Sequence, residues 1–200
     1  MKRILLVVLL ALGVTGIYAQ SGPVGFTYGI FAGTTSTSVN TNFIYDTKTS
    51  GAGFTAGAFA RIKVLFFQVV PEVAYTTKGV SLTSSKDAVL NQAKFNSENI
   101  DVNALININI IPLGDLAKVR LQAGLGDCIN LKSSIEQAGI VTNSENSKNS
   151  YWNGLVGIGV DVLKLTADLR YSFAFSDISN SPTIEVTPST IFLTIGIKFR

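Results

Sequence analysis

Between Asn99 and Pro112 the chain reads "NIDVNALININIIP", an apolar residue at every second position with Asn or Asp filling nearly all the gaps. On a helix, Asn99, Asp101, Asn103, Asn107 and Asn109 would scatter around the circumference and leave no clean apolar face. On a strand, successive side chains point to opposite faces. Ile100, Val102, Ala104, Ile106, Ile108 and Ile110 then form one wholly apolar face, and the other is polar except for Leu105. The stretch is a strand with one oily side and one wet side, and the fold turns on which side is the inside.

The pattern recurs seven more times, in segments 24–33, 53–62, 67–79, 117–126, 151–162, 165–176 and 190–200. In "LTADLRYSFAFS", for instance, Leu165, Ala167, Leu169, Tyr171, Phe173 and Phe175 oppose Thr166, Asp168, Arg170, Ser172, Ala174 and Ser176. Eight strands and no helix are expected after the N-terminal segment. Their connectors alternate in length. Long ones rich in Ser, Thr, Asn and Lys lie near 35–51, 80–98, 130–149 and 177–188, and short ones near 63–66, 112–116 and 162–164. All long loops therefore fall at one end of an up-and-down meander and both termini at the other. Outer-membrane barrels have this shape, with short periplasmic turns and longer external loops.

The first residues follow a different rule. Lys2 and Arg3 precede the apolar run "ILLVVLLALGV", and a small residue stands at Ala19. This is the pattern of a secretory signal over residues 1–19, with the barrel domain over 20–200. The run is short for a membrane-spanning helix of about 20 residues. The chain has 16 Lys+Arg against 13 Asp+Glu, and loss of Lys2 and Arg3 leaves 14 against 13. A nearly neutral mature protein without basic runs does not point to a nucleic-acid partner. Its 46% hydrophobic and 14% charged residues are oily for an exported soluble domain.

An eight-stranded sheet closes in two senses. A soluble lipocalin-like carrier puts the aliphatic face inside, whereas a membrane barrel turns it to lipid around a polar lumen. The polar face here repeats glycine, at Gly25, Gly29, Gly33, Gly53, Gly57, Gly124, Gly126, Gly157, Gly159 and Gly196. Glycine weakens a strand in water but suits a narrow lumen that must admit large side chains. The same face carries Arg61, Glu72, Arg120, Asp161, Asp168 and Arg170, charges that can pair across a small interior. The aliphatic face brings aromatic residues near strand ends, among them Phe26, Phe54, Tyr75, Trp152, Phe173 and Phe199, as interfacial girdles require. The expected fold is an eight-stranded antiparallel up-and-down transmembrane β-barrel. Its lumen charge network is Arg61, Glu72, Arg120, Asp168 and Arg170, with Glu72 facing several arginines. Pro71 removes a ladder hydrogen bond, so a bulge is expected there.

Four segments, "VVPEVAYTTKG" (69–79), "VNALININIIPLGD", "GLVGIGVDV" followed by "LTADLRYSFAF", and the terminal "LTIGIKF", resemble the outer membrane protein beta-barrel domain family. That group includes PorT-like proteins and barrels of OmpA/OmpX-like size. The resemblance covers almost all of the chain after the signal. It implies an outer-membrane location, contact with membrane lipid and lipopolysaccharide, and delivery by the barrel-assembly machinery. In the family's terms the closing strand "IFLTIGIKFR" resembles an assembly signal, with Phe199 as its aromatic residue and Arg200 as a departure after it.

Candidate chemistry is sparse. The chain has no His and a single Cys, so the imidazole bases and thiolate or imidazole metal sites of barrel enzymes are missing. "GAGFTA" (51–56) formally matches a dinucleotide fingerprint, but a strand follows where a helix is required, and it reads as the start of a strand. Cys128 reads as a small filler near a strand end. No catalytic, cofactor or metal residue is expected. The reading is a non-enzymatic structural or interaction barrel whose external loops or periplasmic turns meet an external ligand or a secretion partner. A narrow channel or hydrophobic-ligand transporter is the alternative, and a soluble periplasmic carrier the third.

Overall fold

The computed structural model describes residues 25–41, 50–64, 66–82, 93–113, 116–137, 140–143, 150–175 and 186–199. The expected signal over 1–19 lies outside them. Among the described residues the chain forms β1 (Gly25–Thr41), β2 (Ser50–Val64), β3 (Phe67–Leu82), β4 (Ala93–Leu113), β5 (Ala117–Gln137), β6 (Ile140–Asn143), β7 (Ser150–Val162), β8 (Leu165–Ala174) and β9 (Val186–Lys198). All pairings are antiparallel, in the order β4-β3-β2-β1-β9-β8-β7-β5-β6, and a further β4–β5 pairing closes the sheet. Eight strands make the barrel. β6 is a short ribbon on the upper end of β5, pairing Ser134–Gln137 with Ile140–Asn143.

The stagger of the barrel follows from the register. From Arg120 the row of paired residues passes through Gly159, Asp168, Thr194, Gly33, Thr55, Thr76 and Asn99. It returns to β5 at Asn130, ten residues further along than Arg120. Such a shear tilts the strands and leaves a bore that side chains can fill.

The polar face is inside. Thr35, Thr55, Thr76, Asn99, Asn107, Arg120, Thr166 and Thr194 are all buried, while Ile30, Ile106, Leu121, Ile158, Leu169, Leu193 and Ile195 are exposed on the outer wall. This is the inverse of a soluble carrier. Aromatic side chains gather at the two ends of that wall. Phe26, Tyr28 and Phe199 meet at the turn end, with ring centroids 6.1 and 5.6 Å apart. Phe54 and Tyr75 at 5.8 Å, and Phe173 and Phe175 at 5.2 Å, lie toward the loop end.

The strands outrun their apolar pattern. β1 continues to Thr41, β4 begins at Ala93 and β5 runs to Gln137, so parts of the expected loops 35–51, 80–98 and 130–149 are strand. In "TTSTS" the inward positions Thr35 and Thr37 stay buried while Ser36 is exposed, and the strand persists although its outer face has turned polar. The segment 51–56 lies within β2.

The expected bulge at Pro71 is not there. The β2–β3 register is the same on either side of it, and the ladder simply lapses between Phe59↔Glu72 and Ile62↔Val69. The pairing with β4 continues through Pro71↔Ala104. The missing N–H is thus absorbed as a local gap facing β2. The register shifts instead between β4 and β5, with Leu131 of β5 the extra residue at Glu98/Asn99 and Ile110 of β4 the extra residue at Asn109/Ile111. At the second, Asn109 still pairs with Arg120 and keeps the inward phase of its strand near the turn end, and Ile110 and Ile111 follow in succession on the outer wall.

Candidate functional site

The bore is the chemically dense part of the molecule. Each charged side chain enters it by the alternation of its strand, and glycine on neighbouring strands makes the room. Arg61 on β2 donates from Nη1 to Asp161 Oδ2 on β7 at 2.8 Å, and from Nη2 to Thr166 Oγ1 at 3.0 Å. Arg170 on β8 donates to Glu72 on β3. In the closed order of eight, β2 and β7 are four strands apart in either direction, and so are β3 and β8. Both pairs therefore span the full bore.

Arg120, wholly buried on β5, ties the set together. Its Nη2 lies 2.7 Å from Asp168 Oδ1, 3.1 Å from Asp161 Oδ1 and 2.6 Å from Thr166 Oγ1. Asp168 also accepts from Gln122 Nε2 and lies 3.6 Å from Arg170 Nη2. Lys198, partly exposed at the turn end, approaches Asp161 Oδ2 at 3.3 Å. Charge-assisted bonds of this kind are about twice as strong as neutral ones, and in a confined bore each carboxylate needs its cation.

All five sequence-derived residues, Arg61, Glu72, Arg120, Asp168 and Arg170, are buried in the bore. Their arrangement differs from the expected one in its centre. Glu72 pairs with Arg170, whereas Asp161 and Asp168 each collect several cations. Phe59 and Phe31 interrupt the polar face for a reason as well. The Arg61 guanidinium lies 4.7 Å from the Phe59 ring centre, and Arg170 lies 5.6 Å from that of Phe31. With Val70, Ala74, Leu105 and Leu155 the two rings form a buried apolar cluster within the bore.

A second cluster sits closer to the loop end. Lys78 Nζ donates to Tyr151 Oη at 2.8 Å and to Cys128 Sγ at 3.3 Å, and lies 4.0 Å from Asp101 Oδ1. Cys128 is thus a fully buried member of a polar cluster well inside β5, not a filler near a strand end. Lys78 stands two positions beyond Thr76 on the inward set of β3, so extending the alternation would have found it.

Gly159 shows why the bore needs glycine. It lies between Arg120 and Asp168 in the row of paired residues, and a Cβ there would overlap Asp168 Oδ1, Arg120 Nη2 and Gln122 Nε2. Among the described residues no cluster of three or more His, Cys, Asp or Glu side chains is placed to hold a metal ion. Phe199, on the outer wall, donates its N–H to Tyr28 O at 2.8 Å, which fastens the end of the chain to β1.

The sequence matches the family described as outer membrane protein beta-barrel domain over residues 18–180. No curated protein sequence matches it significantly. Among solved structures, the fold is similar to that of Ail, the attachment invasion locus protein of Yersinia pestis, crystallised with the heparin analogue sucrose octasulfate. The identity is 14%, with 87% of this chain and 99% of Ail covered, and a TM-score of 0.51. Neisserial surface protein A is similar at 17% identity, covering 88% of this chain and 99% of its own, with a TM-score of 0.51. At such identities the likeness is one of fold.

Proposed function

The chain belongs to the outer membrane protein beta-barrel domain family, and from that we propose that it is a non-enzymatic barrel whose bore is closed by side chains and whose work is done at its ends. The observation that carries this reading is the pair of ion pairs, Arg61–Asp161 and Glu72–Arg170, each reaching across the full bore. A bore bridged twice is a structural brace, and it leaves the long external loops and the periplasmic turns as the surfaces that meet other molecules. An external ligand such as a surface polysaccharide, neighbouring lipopolysaccharide, or a secretion partner fits such a surface. In this reading residues 1–19 direct export, residues 20–200 form the barrel domain, and Phe199 marks the closing strand for the assembly machinery.

Conductance in planar bilayers tests the proposal. Purified barrel should give no steady current. A steady open channel of porin size would overturn it. A second reading, a narrow hydrated channel, draws support from buried polar atoms without a protein partner along the bore, including Asn103 Oδ1, Asn107 Oδ1, Gln122 Oε1 and Arg120 Nη1. Small, brief currents that rise when Arg120 is replaced would favour that alternative.

A further inference from the structure

At the turn end the bore opens into a cavity of about 250 Å³ whose wall includes Arg61, Lys63, Gln68, Lys118, Asp161 and Lys198. Two of the three periplasmic turns tie its floor together, since the Leu163 N–H donates to Leu116 O at 2.9 Å. The wall carries four cations and one carboxylate. That carboxylate, Asp161, is already shared by Arg61, Arg120 and Lys198. Lys63 and Lys118 meet no carboxylate among the described residues. Among the described residues, the mouth therefore holds more positive charge than its one carboxylate neutralises.

Two buried polar atoms belong to residues that line the cavity. Arg61 is only 6% exposed, and its Nε–H has no acceptor although both Nη groups are engaged. Gln68 Oε1 is a buried acceptor with no donor. Water alone could meet both, but it would leave the surplus charge. A carboxylate would bring a single negative charge and no donor for Gln68. A phosphate ester brings about one to two negative charges and several strong acceptor oxygens, and Lys and Arg are the usual residues that hold it. A hydroxyl on its alcohol part supplies the donor that Gln68 lacks.

We propose that the periplasmic mouth of the barrel is a binding site for a hydroxyl-bearing phosphate ester. Lys63 and Lys118 draw the anion in, Arg61 Nε holds a phosphate oxygen, and Gln68 Oε1 receives the hydroxyl. The same chemistry is offered by a soluble glycerol phosphate and by the headgroup of a phosphatidylglycerol in the inner leaflet.

The probes are glycerol 1-phosphate added to the detergent-folded full barrel and followed by phosphorus NMR, and nanodiscs of phosphatidylglycerol or phosphatidylcholine. In the nanodiscs the readout is amine-reactive labelling of Lys63 and Lys118. Saturable binding of glycerol 1-phosphate, with a Kd near about 1 mM or tighter, assigns the soluble source. Protection of the two lysines in phosphatidylglycerol alone, without binding of the soluble ester, assigns the headgroup. In either case K63Q/K118Q should weaken the effect about tenfold, and added salt should weaken it further. Gln68→Leu should abolish the preference for glycerol phosphate over inorganic phosphate. Heat-modifiable migration checks folding first, and the single lysine variants stand in if the double one fails to fold. Absence of both binding and protection overturns the site, as does an effect that K63Q/K118Q leaves unchanged.

Discussion

Arg120 and Asp168 form a 2.7 Å ion pair although a whole strand, β7, lies between their own strands. The residue of β7 that stands between them is Gly159, and the pair crosses the space its missing side chain leaves. Gly159→Ala should force the Asp168 carboxylate and the Arg120 guanidinium apart and cost about 1–3 kcal/mol through overpacking. Urea unfolding of the detergent-folded barrel measures it. A variant as stable as the wild type would mean that the pair can rearrange freely in the bore.

The two carboxylates of the network should not be equivalent. Asp168 serves Arg120, Arg170 and Gln122 together, so Asp168→Asn removes a carboxylate that two buried arginines share, leaves Arg120 to Asp161 and Arg170 to Glu72 alone, and should cost on the order of 3–5 kcal/mol. Glu72 serves Arg170, which keeps Asp168 at 3.6 Å and the Phe31 ring beneath it. Glu72→Gln should therefore cost less, about 1–3 kcal/mol. The comparison is made by parallel unfolding titrations, and the reverse order would place the centre of the network at Glu72.

Alternation made the barrel legible in the sequence because each strand repeats one physical demand, oil outside and polarity inside, at period two. It named the inward residues Arg61, Glu72, Arg120, Asp161, Asp168 and Arg170 for the same reason. It did not reveal which of them meet. Contacts such as Arg61–Asp161 depend on the stagger of the closed sheet, which carries the Arg120 row back to Asn130, and no local pattern encodes that closure. Strand ends were misplaced where the outer wall turns polar, as at Ser36, since the signal used was apolar periodicity and not the ladder itself. Ile111 joins Ile110 on the outer wall because the bulge at Asn109/Ile111 shifts the phase of the alternation by one residue, which periodicity does not encode.

The outer wall should be intolerant of charge in a depth-dependent way. Ile195 is 65% exposed, midway along the wall between the Phe199–Tyr28 aromatics and those at Phe173 and Phe175. Ile195→Arg should cost about 2–4 kcal/mol in a bilayer, while Leu163→Arg, at the tip of a turn, should cost about 0–1 kcal/mol. Unfolding in phospholipid vesicles gives both values. Equal costs at the two positions would contradict a lipid-facing wall at Ile195.

The closing strand offers the last test. β9 pairs with β1 on one side and β8 on the other, so it is the seam at which the barrel closes. Phe199 extends that seam by one more hydrogen bond, to Tyr28 O, and packs its ring at a tilt against Tyr28 at the turn-end girdle. Phe199→Asp would place a charge among those aromatics and remove the ring, without touching the ion pairs of the bore. Phe199→Tyr keeps the ring and its interfacial position. If Phe199 marks the strand for assembly, the Asp variant should accumulate unfolded in the periplasm while the Tyr variant reaches the membrane at wild-type levels. Heat-modifiable migration of envelope fractions reads both. In vitro refolding of the Asp variant into detergent separates the two roles, because a purely structural defect would appear there too. Wild-type amounts of folded Phe199→Asp protein in the outer membrane would remove Phe199 from the assembly step.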